Sequence, residues 1–429
     1  MIRVRLSTHE GRRHGLLFGS LALLLAGMVP AFASCAEAEE SGKKDEDASV
    51  SVPQPDAAEA SVEVEAGASD AGCDASEKGC VDHVISCDDV PWCPTATTVS
   101  SQYALTAVWG TGKNDVWAVG SGGTIAHYDG SAWKQTPTGV KNTFRAVWGS
   151  GPTDVYAVSM TDAIFHSNGF TGGTAQWTRM PSAGEDWPMT ALSIWGTSAD
   201  DVRIGVRARM TFDPKSGEYK WIDQYTLRRD APDPDAGADG GADAGPTVSW
   251  EAVAGEGNVH GIWGSSPTDL WIVADNSERN GWEKGLTRHG VAGGKGGFAW
   301  TSVDSQSTVV LQAIWGSSKD DVWAVGDKGT IRRMKSGATR WEIVASPTTE
   351  NLRALWGTAA NDVWAVGDSG TILHFDGTSW KTSEAAFGLG LKPDLYGVWG
   401  SSANDVWIVG GNVALHYTGP KPAGQGGGK

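Results

Sequence analysis

The sequence predicts an all-β fold: a seven-bladed β-propeller of four-stranded blades, its last blade closed by an N-terminal strand. Three observations lead there. A Trp-Gly pair recurs at Trp109, Trp148, Trp195, Trp263, Trp315, Trp356 and Trp399, and an Asp follows six residues later each time, at Asp115, Asp154, Asp201, Asp269, Asp321, Asp362 and Asp405. The repeats are 39, 47, 68, 52, 41 and 43 residues apart, and the short spacings suit a four-stranded blade of about 40–50 residues. Inside each repeat, apolar and aromatic residues follow the period of two that a pleated strand requires.

The repeat around Trp356 shows the elements in order. Strand one is Leu352-Arg353-Ala354-Leu355-Trp356, and strand two is Asp362-Val363-Trp364-Ala365-Val366-Gly367. A Gly-x-x-Gly turn leads to strand three, Thr371-Ile372-Leu373-His374. Asp376-Gly377 then makes a tight turn, because glycine accepts positive φ. Strand four carries Trp380. β-Branched and aromatic side chains suit all four. Repeat seven runs to Tyr417 and lacks a fourth-strand Trp. In the other repeats that Trp precedes the next Trp-Gly by 13 to 19 residues, and Trp92 precedes Trp109 by 17. The segment around Trp92 is therefore expected to complete blade seven, which removes an open sheet edge. The fourth-strand set becomes Trp92, Trp133, Trp177, Trp250, Trp300, Trp341 and Trp380.

Composition narrows the function classes. The 429 residues hold 34 Lys+Arg against 51 Asp+Glu, a formal net charge of -17. That balance argues against a nucleic-acid partner, whose footprint is a basic patch. The 58 Gly show no three-residue period, which excludes a collagen-like chain, and 22 Trp exclude a wholly disordered one.

The N-terminal 93 residues read as an address and a tether. Residues 1–34 combine Arg3, Arg5, Arg12 and Arg13 with an apolar run from Leu16 to Val29, the pattern of an export signal. Arg12-Arg13 faintly resembles a twin-arginine signal. The run is shorter than the roughly 20 residues of a spanning helix. Two cleavage readings compete. Ala31-Phe32-Ala33 fits ordinary signal peptidase, and Phe32-Ala33-Ser34-Cys35 resembles a lipobox with Phe32 in place of the usual Leu. Cysteine parity favours lipidation: with Cys35 acylated, Cys73, Cys80, Cys87 and Cys93 remain as an even set for two disulfides of open pairing. Ala36 after the cysteine resembles outer-membrane lipoproteins rather than retained ones. Residues 35–72 carry eleven acids, two lysines and no aromatics, so they are expected to be a disordered tether. Residues 73–93 form a disulfide-braced segment leading into the closing strand, and a bond at Cys93 is expected to lock the closure. Zinc is disfavoured there, because no C-x-x-C pair occurs. The propeller spans 94–418, and residues 419–429 are a Gly/Pro/Lys tail. Residues 230–247, with five Asp among Ala, Gly and Pro, read as a disordered insertion in blade three without the fixed spacing of an EF-hand.

The unit D-V-W-A-V-G-x-x-G-T-I-x-H-x-D-G-x-x-W resembles sialidase-like, Asp-box-type bacterial propellers, though Asp129-Gly130 and Asp376-Gly377 are adjacent where an Asp box has one residue between. In its alternation of W-A-V-G, G-x-I and D-G-x-x-W it is most similar to the propeller family of the photosystem II assembly factor. The resemblance covers about residues 92–418. It implies a propeller and, by the role of that family, a protein-binding scaffold, since the fold alone hosts many functions.

Candidate chemistry is sparse. The seven Trp-Gly tryptophans read as packing between blades rather than as ligand contacts. The seven Asp read as turn-makers bonding their own backbone, since one acid per blade cannot supply the six to eight oxygens of a calcium site. His127, His166, His374 and His416, with Arg333 at the equivalent place, occupy one position in separate blades and are too dispersed to share an ion. No P-loop, serine-hydrolase elbow or Tyr-Glu pair is visible. One register varies sharply: Thr106, Arg145, Leu192, His260, Gln312, Arg353 and Tyr396, each three residues before its Trp-Gly. It lies at the start of each inner strand, on the channel rim, where Trp187 and Trp282 are also placed. Variation on a regular scaffold marks a binding surface. The expected role is a non-enzymatic protein-binding scaffold at the cell envelope. A glycan-binding or adhesive module and a sialidase-like hydrolase are the alternatives. No metal or cofactor is expected. The chain is expected to meet the membrane only through its N-terminal lipid and to act as a monomer facing periplasm or cell surface.

Overall fold

Blade packing follows directly from the repeat. The computed structural model describes residues 80–81, 84–161, 163–181, 189–213, 217–229, 248–255, 257–276, 283–293 and 297–420. The chain divides between Ser69 and Asp70. The export segment, Cys35, the acidic stretch, Cys73, the 230–247 insertion and residues 421–429 lie outside the described residues. The described chain forms seven antiparallel four-stranded sheets, with no α-helix among the described residues. The innermost strands are Leu105–Gly112, Phe144–Gly151, Ala191–Ser198, Asn258–Ser266, Leu311–Ser318, Leu352–Ala359 and Leu395–Ser402. Each touches the next, and the seventh touches the first, so they ring a central channel.

Blade seven is completed as the repeat arithmetic requires. Trp92–Pro94 pairs with Val413–Tyr417, Trp92 standing opposite Tyr417. The propeller therefore begins at Trp92. Cys87 is bonded to Cys93, six residues apart. Both cysteines belong to the same segment, so this bond braces the approach to the closing strand and does not tie it to blade seven. The expected covalent lock is absent, and the ladder and the burial of Trp92 hold the ring. Ahead of this loop, Cys80–Val81 pairs with Gly390–Leu391.

Two aromatic sets join neighbouring blades. The Trp of each Trp-Gly pair lies over the Gly of the next blade. A Cβ built on Gly110, Gly149, Gly196, Gly264, Gly316, Gly357 or Gly400 would approach the preceding blade's indole to 2.5–2.9 Å. Only glycine permits this contact, which is why the pair repeats without exception. Five of the seven fourth-strand tryptophans stand edge-on against the second-strand tryptophan of the preceding blade. Such pairs are Trp92–Trp364, Trp133–Trp407, Trp177–Trp117, Trp341–Trp271 and Trp380–Trp323, with ring centroids 5.0–5.5 Å apart and planes crossing at 81–89°. Edge-to-face geometry of this kind is favoured by the ring quadrupoles. Trp341 immediately precedes its strand, Glu342–Val344.

Blade three departs from the repeat. Arg203 occupies the second-strand Trp position and pairs with its own Asp201 at 2.8 Å. Strands two and three lengthen into a hairpin, Asp201–Asp213 and Glu218–Arg229. The insertion then joins strands three and four, whose ends pair at Arg229 and Val248. These two extensions account for the 68-residue spacing.

Candidate functional site

A β-bulge shapes the start of every inner strand. In blade one the register shifts between Leu105 and Ala107, leaving Thr106 as the extra residue. The same shift isolates Arg145, Leu192, His260, Gln312, Arg353 and Tyr396. These are the seven residues of the variable register, and all are half-buried. A bulge frees one residue from the ladder and re-aims its side chain. The structure thus brings the seven together at one mouth of the channel. Trp187 and Trp282 lie outside the described residues.

The mouth has an acidic arc that the sequence reading missed. In blades four, five and six the last residue of strand two, or the one following it, is an acid, and each holds its own blade's bulge residue. His260 bonds Asp275. Gln312 donates to Asp327 at 2.9 Å. Arg353 grips Asp368 with two bonds of 2.7 and 2.8 Å. Blades are laced together here: the Lys328 amide donates to Asn351, Asn351 donates to Asp368, and the Ser369 amide donates to Asp394. Lys328 and Ser369 adopt φ of 55° and 54°, a strained region for non-glycine residues that these side-chain acceptors help to hold. The available signal was an acid six residues after each blade Asp in three consecutive repeats.

The electrostatics of the seven differ. The bond from Asp368 raises the Arg353 pKa above its usual value, against the opposing effect of burial. Burial, then the charges of Asp394 and Asp368, push the Tyr396 phenol up. For Arg145, burial and then the charge of Arg353 lower the pKa, with Tyr396 acting weakly the other way. Thr106 donates to the Phe144 carbonyl of the next blade at 2.6 Å.

The blade acids serve a different purpose at the opposite face. They were expected to bond their own backbone. Instead each joins strands by side-chain bonds. Asp115 accepts from Thr111, Trp117 and His127. His166–Asp154, His374–Asp362 and His416–Asp405 repeat the pair at 2.7–2.8 Å, and Arg333–Asp321 replaces it in blade five. His289–Asp269 is the blade-four counterpart, at 3.2 Å. The His rings stack on second-strand tryptophans, as at Trp364–His374 and Trp407–His416, 4.0 Å apart. These are blade-internal clasps, one per strand pair. No group of three or more His, Cys, Asp or Glu able to hold a metal occurs among the described residues.

Two arginines stand at this register, Arg145 and Arg353, and Arg353 is held by Asp368. The arrangement offers hydrogen-bonding groups and charges of both signs to something entering the mouth. Among the described residues it shows no nucleophile poised beside a base.

No protein-family model and no curated protein matches the chain. Its fold is similar to two solved structures of the photosystem II assembly factor YCF48. YCF48 bound to D1 peptide aligns with a TM-score of 0.55 at 16% identity, covering 79% of this chain and 100% of that one. YCF48 from Cyanidioschyzon merolae aligns with a TM-score of 0.51 at 14% identity, covering 76% and 98%. At this identity the likeness establishes the propeller architecture, in agreement with the repeat pattern.

Proposed function

We propose that the propeller is a non-enzymatic scaffold that docks a partner protein at the bulge-lined mouth of its channel. The observation that carries this reading is the bulge register. One position, re-aimed identically in all seven blades, holds six different kinds of side chain, with arginine twice. The residue before it is apolar in every blade and the residue after it is always Ala, Gly or Ser. A channel kept only for packing has no use for that variety. The fold likeness to YCF48 in its complex with D1 peptide supports peptide or protein recognition by such a propeller. Residues 1–34 export the chain, Cys35 carries the lipid, and 36–72 space the propeller from the outer membrane on its periplasmic or outer side. The charged start, the apolar run and the cysteine parity support that address. A second reading, glycan binding, is favoured by exposed Phe212 and Tyr219, whose rings lie 5.4 Å apart near the tip of the blade-three hairpin on the mouth's side.

The test places a photo-crosslinking amino acid at Gln312 or Tyr396 on the mouth, and at exposed Lys113 or Lys319 on the opposite face, in intact cells. Discrete protein adducts from the mouth positions are expected. Adducts confined to Lys113 and Lys319 refute mouth docking, and mouth binding to a glycan panel without protein adducts selects the second reading. Replacement of Cys35 by Ser is expected to abolish lipid labelling and release the chain from membranes.

A further inference from the structure

Arg145 stands apart from the other buried and half-buried arginines. Arg203 is held by Asp201, Arg288 by Asp223, Arg333 by Asp321 and Arg353 by Asp368. Arg332 donates to three backbone carbonyls, and Arg209 to the Tyr225 hydroxyl. Arg145 has no hydrogen-bond or ion-pair partner among the described residues, in a chain whose acids outnumber its bases. The place where blades four to six supply an acid is Met160 in blade two, 41% exposed. The charge that acts on it is a second guanidinium, that of Arg353, already committed to Asp368. A partly desolvated cation without a counter-ion contributes nothing to holding the fold. A residue that does not hold the fold yet occupies the most variable register is explained by what it binds.

We propose that Arg145 anchors an anion subsite inside the mouth, which takes a carboxylate presented by an extended segment of the partner protein. This rests on the docking reading above. The guanidinium fork donates to both carboxylate oxygens at once. Arg353, pinned by Asp368, adds positive charge from blade six. The acids of blades four to seven repel a carboxylate placed elsewhere on the rim, so the subsite also fixes the register of the incoming segment.

The experiment uses the full chain and an array of short acetylated peptides. Asp or Glu is exchanged for Asn or Gln at matched positions, and each peptide ends in either a free carboxylate or an amide. The wild type is expected to favour the carboxylate member of a pair by roughly tenfold or more, the strength of a charged hydrogen-bonded contact. The peptides in which this preference appears identify a side chain or a chain terminus as the source. Arg145→Met is expected to erase the preference while keeping the weaker binding of amide peptides, and Arg145→Lys to restore part of it. Because Met fills the same space without the unpaired charge, the Met variant is expected to melt at the same temperature or higher. Three results overturn the proposal: equal binding of carboxylate and amide peptides by the wild type, an unchanged preference in Arg145→Met, or a lower melting temperature in that variant. Competition by inorganic phosphate without any peptide preference also overturns it, in favour of a free-anion site. If no peptide binds at all, the docking reading itself has failed.

Discussion

Replacing Trp92 by Ala removes the side chain that seals the ring. Trp92 is fully buried. It stands edge-on to Trp364 at 5.0 Å, packs on Tyr417 at 5.1 Å, and donates its indole N–H to Ser383 at 3.2 Å. Truncation of a buried Trp costs about 3–5 kcal/mol, and the lost hydrogen bond adds about 1 kcal/mol. A loss near 4–5 kcal/mol is a large part of a total of about 5–15 kcal/mol. The equivalent Trp380 is nearly buried and makes the same edge contact with Trp323, so Trp380→Ala serves as the in-chain reference. Denaturant titration of both variants is expected to give similar losses. Hydrogen exchange is expected to rise in Trp92→Ala chiefly in Val413–Tyr417, the strand that it caps. A loss below about 1 kcal/mol, or unchanged exchange in that strand, refutes the claim that the N-terminal strand closes the propeller.

Three further outcomes follow from the same contacts. Gly357→Ala places a methyl 2.5 Å from the Asp362 carbonyl and 2.9 Å from the Trp315 ring, so a loss of about 1–3 kcal/mol is expected by denaturant titration. Gly112→Ala meets nothing within 4 Å and is expected to stay within about 0.5 kcal/mol. Replacing Cys87 and Cys93 by Ser opens only a short loop, so the loss is expected to stay at about 2 kcal/mol or less, with exchange in Val413–Tyr417 unchanged. In Asp115, Asp154 and Asp362, burial raises the carboxyl pKa, but the bonds from His, Ser or Thr outweigh it and the net pKa is lowered. A lowered folded pKa stabilises above the unfolded value of about 3.9, and this is lost as pH falls through the folded value. Unfolding midpoints are therefore expected to be flat from neutral pH to about 4 and to fall below it, and Asp362→Asn to show a shallower fall.

The blades were legible because their packing is written in residue types. Trp-Gly repeats because an indole must lie on a bare backbone, and the fourth-strand Trp because each blade needs an edge against its neighbour. The closing strand followed by the same arithmetic. The bulge was also encoded but needs a different eye. Leu105 and Val108 are both buried three residues apart, and a period of two cannot place both on one face without an extra residue between them. The clasp between Asp and His was hidden because it joins residues about twelve apart across a hairpin, so a single turn explained the Asp more simply. The disulfide misled for a geometric reason: proximity of Cys93 to the closing strand does not supply a partner on blade seven. Arg203 in place of a tryptophan stands in the sequence two residues after Asp201, but its pairing with that acid does not show there.

The claim that function resides at the channel mouth is tested most directly by an affinity scan of its seven bulge residues. Thr106, Arg145, Leu192, His260, Gln312, Arg353 and Tyr396 are each replaced by Ala, folding is checked by circular dichroism, and affinity is measured for the protein captured from the mouth crosslinks. Exposed Lys113 and Lys319 on the opposite face serve as controls. Losses of roughly tenfold or more at several mouth positions, clustered on adjacent blades, with changes under about twofold at the controls, are the predicted result. Full affinity retained across all seven mouth variants, or losses at the two lysines instead, contradicts the account.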